Sequence, residues 1–244
     1  MSENANFEGT AQVQRSTTRP ARSVVPNCRP KALLLDFGSV ISVSVFERHR
    51  ETERILGLPE GALNWLGPIE SASDPLWCAM QRDEITEREY WAIRARELGE
   101  MVGEQEWDVL AMLHKIRQVD PNDVVRPQIH RMIKVAKSRG VHVGILSNEL
   151  ELFYGEEFLA RMDVLADMTV IVDASTTGIL KPDPRAYNQA IEGMGLPPEE
   201  ILFVDDQFRN IVGAVKVGLQ AHHWDMRDIP GNIAAIAARL QFTL

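Results

Sequence analysis

Cysteine is nearly absent from this chain: Cys28 and Cys78 are its two in 244 residues. That is too few for the disulfide framework of a small secreted domain and suits a reducing, cytoplasmic compartment. Long apolar runs are missing too. None approaches the ~18 consecutive residues a membrane-spanning helix needs, so no membrane partner is expected. Positive charge is in deficit, with 26 Lys and Arg against 35 Asp and Glu and a net charge of −9. This balance excludes a general nucleic-acid binder and by itself names no partner. The 16 Gly and 13 Pro are scattered, which excludes collagenous and low-complexity chains. Residues 1–30 hold no sustained apolar period and are expected to form a disordered N-terminal arm. Glu3 and Glu8 count against a transit peptide there. What remains is ordinary globular composition, 45% hydrophobic and 25% charged, over a length that fits one or two domains.

Short buried-strand patterns punctuate the rest. Ala32-Leu33-Leu34-Leu35 ends at Asp36-Phe37-Gly38, and similar runs occur at 141–146, 169–172 and 201–204, with a weaker one at 219–224. Helical periods lie between them. Ile129, Met132, Ile133 and Ala136 mark one opening near Pro127, and Tyr187, Ala190, Ile191 and Met194 mark another. Phe208, Ile211, Val212 and Val215 mark a third, and Ile233, Ile236, Ala237 and Leu240 a fourth. This alternation predicts an α/β fold with a doubly wound, mainly parallel sheet. Residues 45–120 break it. There the pattern is helical throughout, with a Thr86/Glu89 capping box, a stripe of Trp91, Ala95, Leu98 and Val102, and a further helix with Trp107 and Leu110 facing inward. So long an insert is too much for a loop and predicts an all-helical cap over the sheet's carboxyl edge. The expected organisation is an arm at 1–30, a core at 31–44 and 121–244, and a cap at 45–120.

Ligands of doubly wound sheets sit outside the carboxyl ends of the strands. The first predicted strand ends in Asp36-Phe37-Gly38, the second in Ser147-Asn148-Glu149, and the fourth in Asp205-Asp206. Lys181-Pro182-Asp183 lies between the third and fourth. The fold therefore gathers three carboxylates, a hydroxyl, an amide and an ammonium on one edge. Clustered carboxylates are costly unless a cation joins them, and an oxygen-rich set favours Mg²⁺. A nucleophilic Asp beside Mg²⁺, Lys and Ser is equipment for phosphoryl transfer.

Taken in order, Asp36-x-Gly38, Ser147-Asn148, Lys181-Pro182 and Asp205-Asp206 resemble the four motifs of the haloacid dehalogenase-like hydrolase superfamily. The helical insert after the first motif resembles that family's C1 cap, as in its phosphatase-like subfamily I. The resemblance spans about residues 31–244 and implies a Rossmann-like core and a Mg²⁺-dependent phosphatase acting on a small phosphorylated metabolite. Carried over, it makes Asp36 the nucleophile that becomes an aspartyl-phosphate. Asp36, the Gly38 carbonyl and Asp206 would hold the metal, with Asp205 reaching it directly or through water. Ser147 and the backbone of Asn148 would bind the transferring phosphoryl group, Lys181 would neutralise Asp36 and phosphate charge, and Asn210 would brace the acidic loop.

One position departs from the family. Many of its phosphatases carry a second Asp two residues after the nucleophile as general acid, where this chain has Gly38. Loss of such an acid costs roughly a hundredfold or more unless the cap, a bound water or the substrate supplies the proton. A 2-haloacid dehalogenase is the first rival reading, although dehalogenases of this family usually carry Tyr where Gly38 stands and need no metal acids. A non-catalytic binding protein of the same fold is the second. Ser147 also suits a helix N-cap, Lys181-Pro182-Asp183 a surface turn, and Asp205 and Asn210 structural roles. His49 follows the nucleophile loop and is expected on a solvated helix face, and Trp65, Trp77, Trp91 and Trp107 in the packing of the cap. No feature specifies an oligomeric state.

Overall fold

The computed structural model describes residues 28–117 and 119–243. The arm expected at 1–30 therefore lies outside the described residues except for its last three. There the backbone carbonyl of Cys28 accepts from the Gln220 amide at 3.0 Å. Both cysteines are free thiols.

Five parallel strands form one sheet: β1 (Ala32–Leu35), β2 (His142–Ser147), β3 (Val170–Asp173), β4 (Ile201–Asp205) and β5 (Gln220–His223), in the order β3-β2-β1-β4-β5. The strands are apolar because both sheet faces are covered. Alternation along β1 sends Leu33 and Leu35 into one core and Ala32 and Leu34 into the other. Eleven α-helices are formed by the described residues, in chain order α1 (His49–Leu56), α2 (Pro75–Gln81), α3 (Glu87–Met101), α4 (Val109–Ile116), α5 (Pro127–Ser138), α6 (Leu150–Tyr154), α7 (Glu156–Leu159), α8 (Ala174–Thr177), α9 (Pro184–Met194), α10 (Phe208–Lys216) and α11 (Ile229–Leu240). Helices α5 and α11 cover the first face through Ile129, Ile133 and Ile236, and α9 and α10 the second through Tyr187, Ala190 and Ala214. The register sets Leu35 level with Ile145 and Val204, so the residues that follow β1, β2 and β4 emerge side by side. No helix of the described residues is long and apolar enough to cross a membrane.

Between β1 and β2 the chain is helical, α1 to α4, and packs an aromatic cluster of its own. Phe46 is at its centre, with ring centroids 5.7 Å from Trp65, 5.5 Å from Trp77 and 5.5 Å from Trp91. Asp74 caps α2 from inside this cluster, accepting from the Trp77 amide (2.9 Å), the Tyr90 hydroxyl (2.6 Å) and the Arg94 guanidinium (2.5 Å). Thr86 and Glu89 form the expected capping box on α3. The two chain segments joining this layer to the sheet run antiparallel, bonded by Val43 N to Val124 O and Arg126 N to Ile41 O, both 2.8 Å.

Three expectations are corrected. Of the stripe expected on α10 only Ile211 faces the core, while Phe208, Val212 and Val215 are 62%, 38% and 55% exposed. Beside Ile211 the buried side is small, with Gly213 so close to α9 that a Cβ there would lie 2.7 Å from the Tyr187 hydroxyl. Leu110 is 36% exposed, because Met112, Leu113 and Ile116 fill the interior side of α4. His49 is not solvated. It is buried edge-on against Trp65 at 4.3 Å between ring centroids, and burial pushes its pKa down to about 4.

Candidate active site

The β1 strand ends at Asp36, whose amide continues the sheet by donating to Val204 O at 2.9 Å. The chain then makes a tight bend through Phe37–Ile41, with Ser39 at φ 62°, a conformation unfavourable for a side-chain-bearing residue. Arg126 holds that bend by donating Nε and an Nη to the Ser39 carbonyl at 3.1 and 2.9 Å, while Glu47 holds the guanidinium from the other side. Gly38, one residue earlier, has φ −61° and ψ 136°, which suit any residue.

Lys181 reaches this loop from the segment before α9. Its buried ammonium lies 2.8 Å from Asp36 and 2.7 Å from Asp205. The Lys181 backbone is gripped by Asn148, whose side-chain oxygen accepts from Lys181 N at 2.7 Å and whose amide donates to Lys181 O at 3.3 Å. Asp205 is fully engaged: beside Lys181 it accepts from the Gln207 amide at 2.8 Å and from Asn210 Nδ2 at 3.0 and 3.1 Å. His223 Nε2 donates to the Asp206 carbonyl at 2.9 Å, which fixes the tautomer. Asp173, at the end of β3, ties down the turn after Ser147 by accepting from the Leu150 and Glu151 amides at 3.1 and 2.8 Å.

Asp36, Asp205 and Asp206 are buried, with one oxygen of each within 4.8 Å of the others. One ammonium serves all three. Burial first, and the neighbouring Asp205 charge against the pull of Lys181, raise Asp36 to about 7. Asp206 is likewise pushed well above the carboxylate range by burial and the charges of Asp205 and Asp36. Burial alone would lower Lys181, but the Asp205 and Asp36 carboxylates more than offset it and hold the ammonium firmly charged. Asp36 Oδ2 and both Asp206 oxygens have no donor among the described residues. An unbalanced, oxygen-only set with free lone pairs fits a hard divalent cation such as Mg²⁺.

Asp36, Asp206 and Lys181 line one open cavity of about 690 Å³, solvent at its mouth included, together with Gly38, Ser147 and Asn148. A family model for haloacid dehalogenase-like hydrolases matches residues 31–218, the whole stretch from β1 through α10. The chain belongs to the haloacid dehalogenase-like hydrolases. Among curated members, the phosphoglycolate phosphatase of Synechococcus elongatus is 28% identical over 162 residues, 63% of this chain and 74% of that one. The (S)-2-haloacid dehalogenase 4A of Burkholderia cepacia is 32% identical over 93 residues, 38% of this chain and 39% of its own. The curated relatives that match best are spanned over less than half their length, 8% in one case and 38–44% in three others. The magnesium-bound structure of the putative hydrolase YfnB from Bacillus subtilis shares the fold at TM-score 0.59 and 18% identity, over 80% of this chain and 86% of that one.

Within this hydrolase the structure brings together every candidate residue: Asp36, Gly38, Ser147, Asn148, Lys181 and Asp206 line the cavity, and Asp205 lies behind Lys181. Sequence reading missed the residues contributed by the helical layer and its junction. Glu87, in the first turn of α3, lines the cavity 3.4 Å from Asn148 Nδ2. Arg117 lines it from the end of α4. Neither follows a strand, so neither carries the signal that marks the residues of the sheet edge.

Proposed function

We propose that this hydrolase is a Mg²⁺-dependent phosphatase that cleaves a small phosphorylated metabolite, with Asp36 as the nucleophile and residues 45–120 as a cap, in the cytoplasm. The observation that carries the reading is Asp36 itself: one carboxylate oxygen is held by Lys181, and the other is free at the cavity. The ammonium orients this buried carboxylate and offsets part of the burial penalty that raises it, and a divalent cation beside it would complete the ionisation a nucleophile needs. Attack of Asp36 on phosphorus expels the alcohol and leaves an aspartyl-phosphate, which water then hydrolyses. Ser147, at the carboxyl end of β2, would donate to a phosphoryl oxygen. Asp36, Asp206 and the Gly38 carbonyl would hold Mg²⁺, which supplies charge neutralisation for the incoming phosphate. Asp205, its oxygens already engaged, would serve by fixing Lys181 and the Asp206 loop.

The departing alkoxide needs a proton that Gly38 cannot give. We assign that role to Glu87 of the cap, which lines the cavity 3.4 Å from Asn148 Nδ2 and 3.9 Å from the Arg209 guanidinium. Glu149 also lines the cavity, but Arg88 binds one of its oxygens at 2.7 Å and its role is to hold the cap against the core. The test is release of inorganic phosphate from a panel of phosphorylated metabolites, with Mg²⁺ and with excess chelator. Turnover confined to the Mg²⁺ arm is the expected result. Halide release from 2-haloacids that is indifferent to chelator would refute the reading.

A further inference from the structure

The cavity holds two cations, and they are not equivalent. Lys181 is committed to Asp36 and Asp205. Arg117 has no carboxylate partner among the described residues. Among the described residues it makes one hydrogen bond, from Nη1 to the Phe153 carbonyl at 2.7 Å, and lies over the face of Tyr154, with the guanidinium carbon 3.9 Å from the ring centroid. Other arginines of the helical layer and its junction are paired with carboxylates: Arg94 with Asp74 and Glu97, Arg88 with Glu149, Arg126 with Glu47 and Arg48 with Glu51. Withdrawing a guanidinium from water without a counter-charge is costly, and such an uncompensated cation in a cleft marks a place for an anion. Burial, with a contribution from the like charge of Arg48, lowers the Arg117 pKa, the direction expected of a cation awaiting a partner.

Position gives the anion its meaning. Tyr154 stands edge-on to Phe37 at 5.0 Å between centroids, and Phe37 follows Asp36 directly. The guanidinium, the two rings and the nucleophile thus line one continuous wall of the same cavity. A phosphoryl group at Asp36 leaves the rest of a small substrate lying along that wall toward Arg117.

We propose that Arg117 forms a second anion subsite, so that the preferred substrate is a phosphoester carrying a carboxylate or a second phosphate at its far end. This rests on the phosphatase reading above. Four of the guanidinium's five N–H donors make no hydrogen bond to the described residues, enough for a bidentate grip on either group.

The test uses monophosphates of ω-hydroxy acids from two to five carbons, diol monophosphates of matching length, diol bisphosphates, and p-nitrophenyl phosphate as reference. The wild-type protein should prefer the acid or the bisphosphate over the matched diol monophosphate by about tenfold or more in kcat/KM at one chain length. The acid and bisphosphate arms tell carboxylate from phosphate. Arg117→Gln should bring that ratio close to one, chiefly through KM, and Arg117→Lys should restore part of it. A purely structural arginine would lower both members of each pair alike. Hydrolysis of p-nitrophenyl phosphate with no anion preference at any length, or a preference that survives Arg117→Gln, overturns the subsite alone. No phosphate release from any ester, the aryl phosphate included, overturns the phosphatase reading and the subsite with it.

Discussion

Magnesium should bind this protein in competition with protons, and the structure sets the size of the effect. Asp36 is raised to about 7, by burial foremost, and Asp206 is raised by the same cause. A folded-state pKa above the unfolded one means that the folded chain holds its proton more tightly. These two groups therefore stabilise the metal-free fold at low pH, and that contribution is lost as pH rises from the unfolded value of 3.8 toward 7. A divalent cation reverses the penalty by pairing with the carboxylates once the protons have gone. For each proton displaced, the apparent Kd should rise about tenfold, or about 1.4 kcal/mol, with each pH unit below 7. The part due to Asp36 should flatten above that. Calorimetric titration of Mg²⁺ between about pH 5.5 and about pH 8, repeated in buffers of different ionisation enthalpy, measures both the slope and the protons released. The thermal stabilisation given by a fixed Mg²⁺ concentration should grow with pH in parallel. A Kd that is level across this range, with no proton release, would show that Asp36 and Asp206 are not the ligands, or that their charges are balanced by something other than Lys181.

Three further outcomes are expected. Asp36→Asn should abolish phosphate release while leaving the melting transition cooperative, because the amide keeps the side chain's size but cannot accept the phosphoryl group; turnover near wild type would exclude the covalent route. Glu87→Gln should slow alkyl phosphates far more than aryl phosphates, whose phenolates leave unprotonated, and Glu149→Gln should not; Gly38→Asp should then rescue the alkyl substrates, since the Gly38 backbone accepts a side chain and its Cβ would lie 3.9 Å from Asp36 Oδ2. Asp74→Ala should destabilise the helical layer by about 3–5 kcal/mol, because the buried Trp77 amide, Tyr90 hydroxyl and Arg94 guanidinium lose their shared acceptor and only the half-exposed Glu97 still pairs Arg94; urea unfolding that shifts by less than about 1 kcal/mol would contradict the burial argument.

The strand ends were legible in the sequence because a strand buried on both faces reads as a short apolar run, and the polar residue that stops it marks the sheet's edge. Asp36, Ser147 and Asp205 each announce themselves in that way. Helix existence was legible for the same reason, but not always which face turns inward. On α10 three of the four stripe residues, Phe208, Val212 and Val215, point outward, and Ile211 packs inward beside Gly213 and Ala214, which allow the close approach that packing needs. Periodicity counts hydrophobes and is blind to a small-residue face. His49 was misjudged because its neighbours Glu47, Arg48 and Arg50 are polar, whereas its ring meets Trp65, sixteen residues away. Glu87 and Arg117 escaped for a related reason. They meet the cavity only through the docking of α3 and α4, and that contact has no local pattern.

The antiparallel pair of bonds joining residues 41–43 to residues 124–126 ties the helical layer to the sheet beside the Asp36 bend. One of the two segments leads out of that bend, and the other carries Arg126, whose guanidinium grips the Ser39 carbonyl. A swing of the helices about this pair would therefore pull on the carbonyl of the left-handed residue in the loop. Were residues 45–120 to open as the proposed cap, the same movement would disturb the setting of Asp36, and an emptied site would also be a disarmed one.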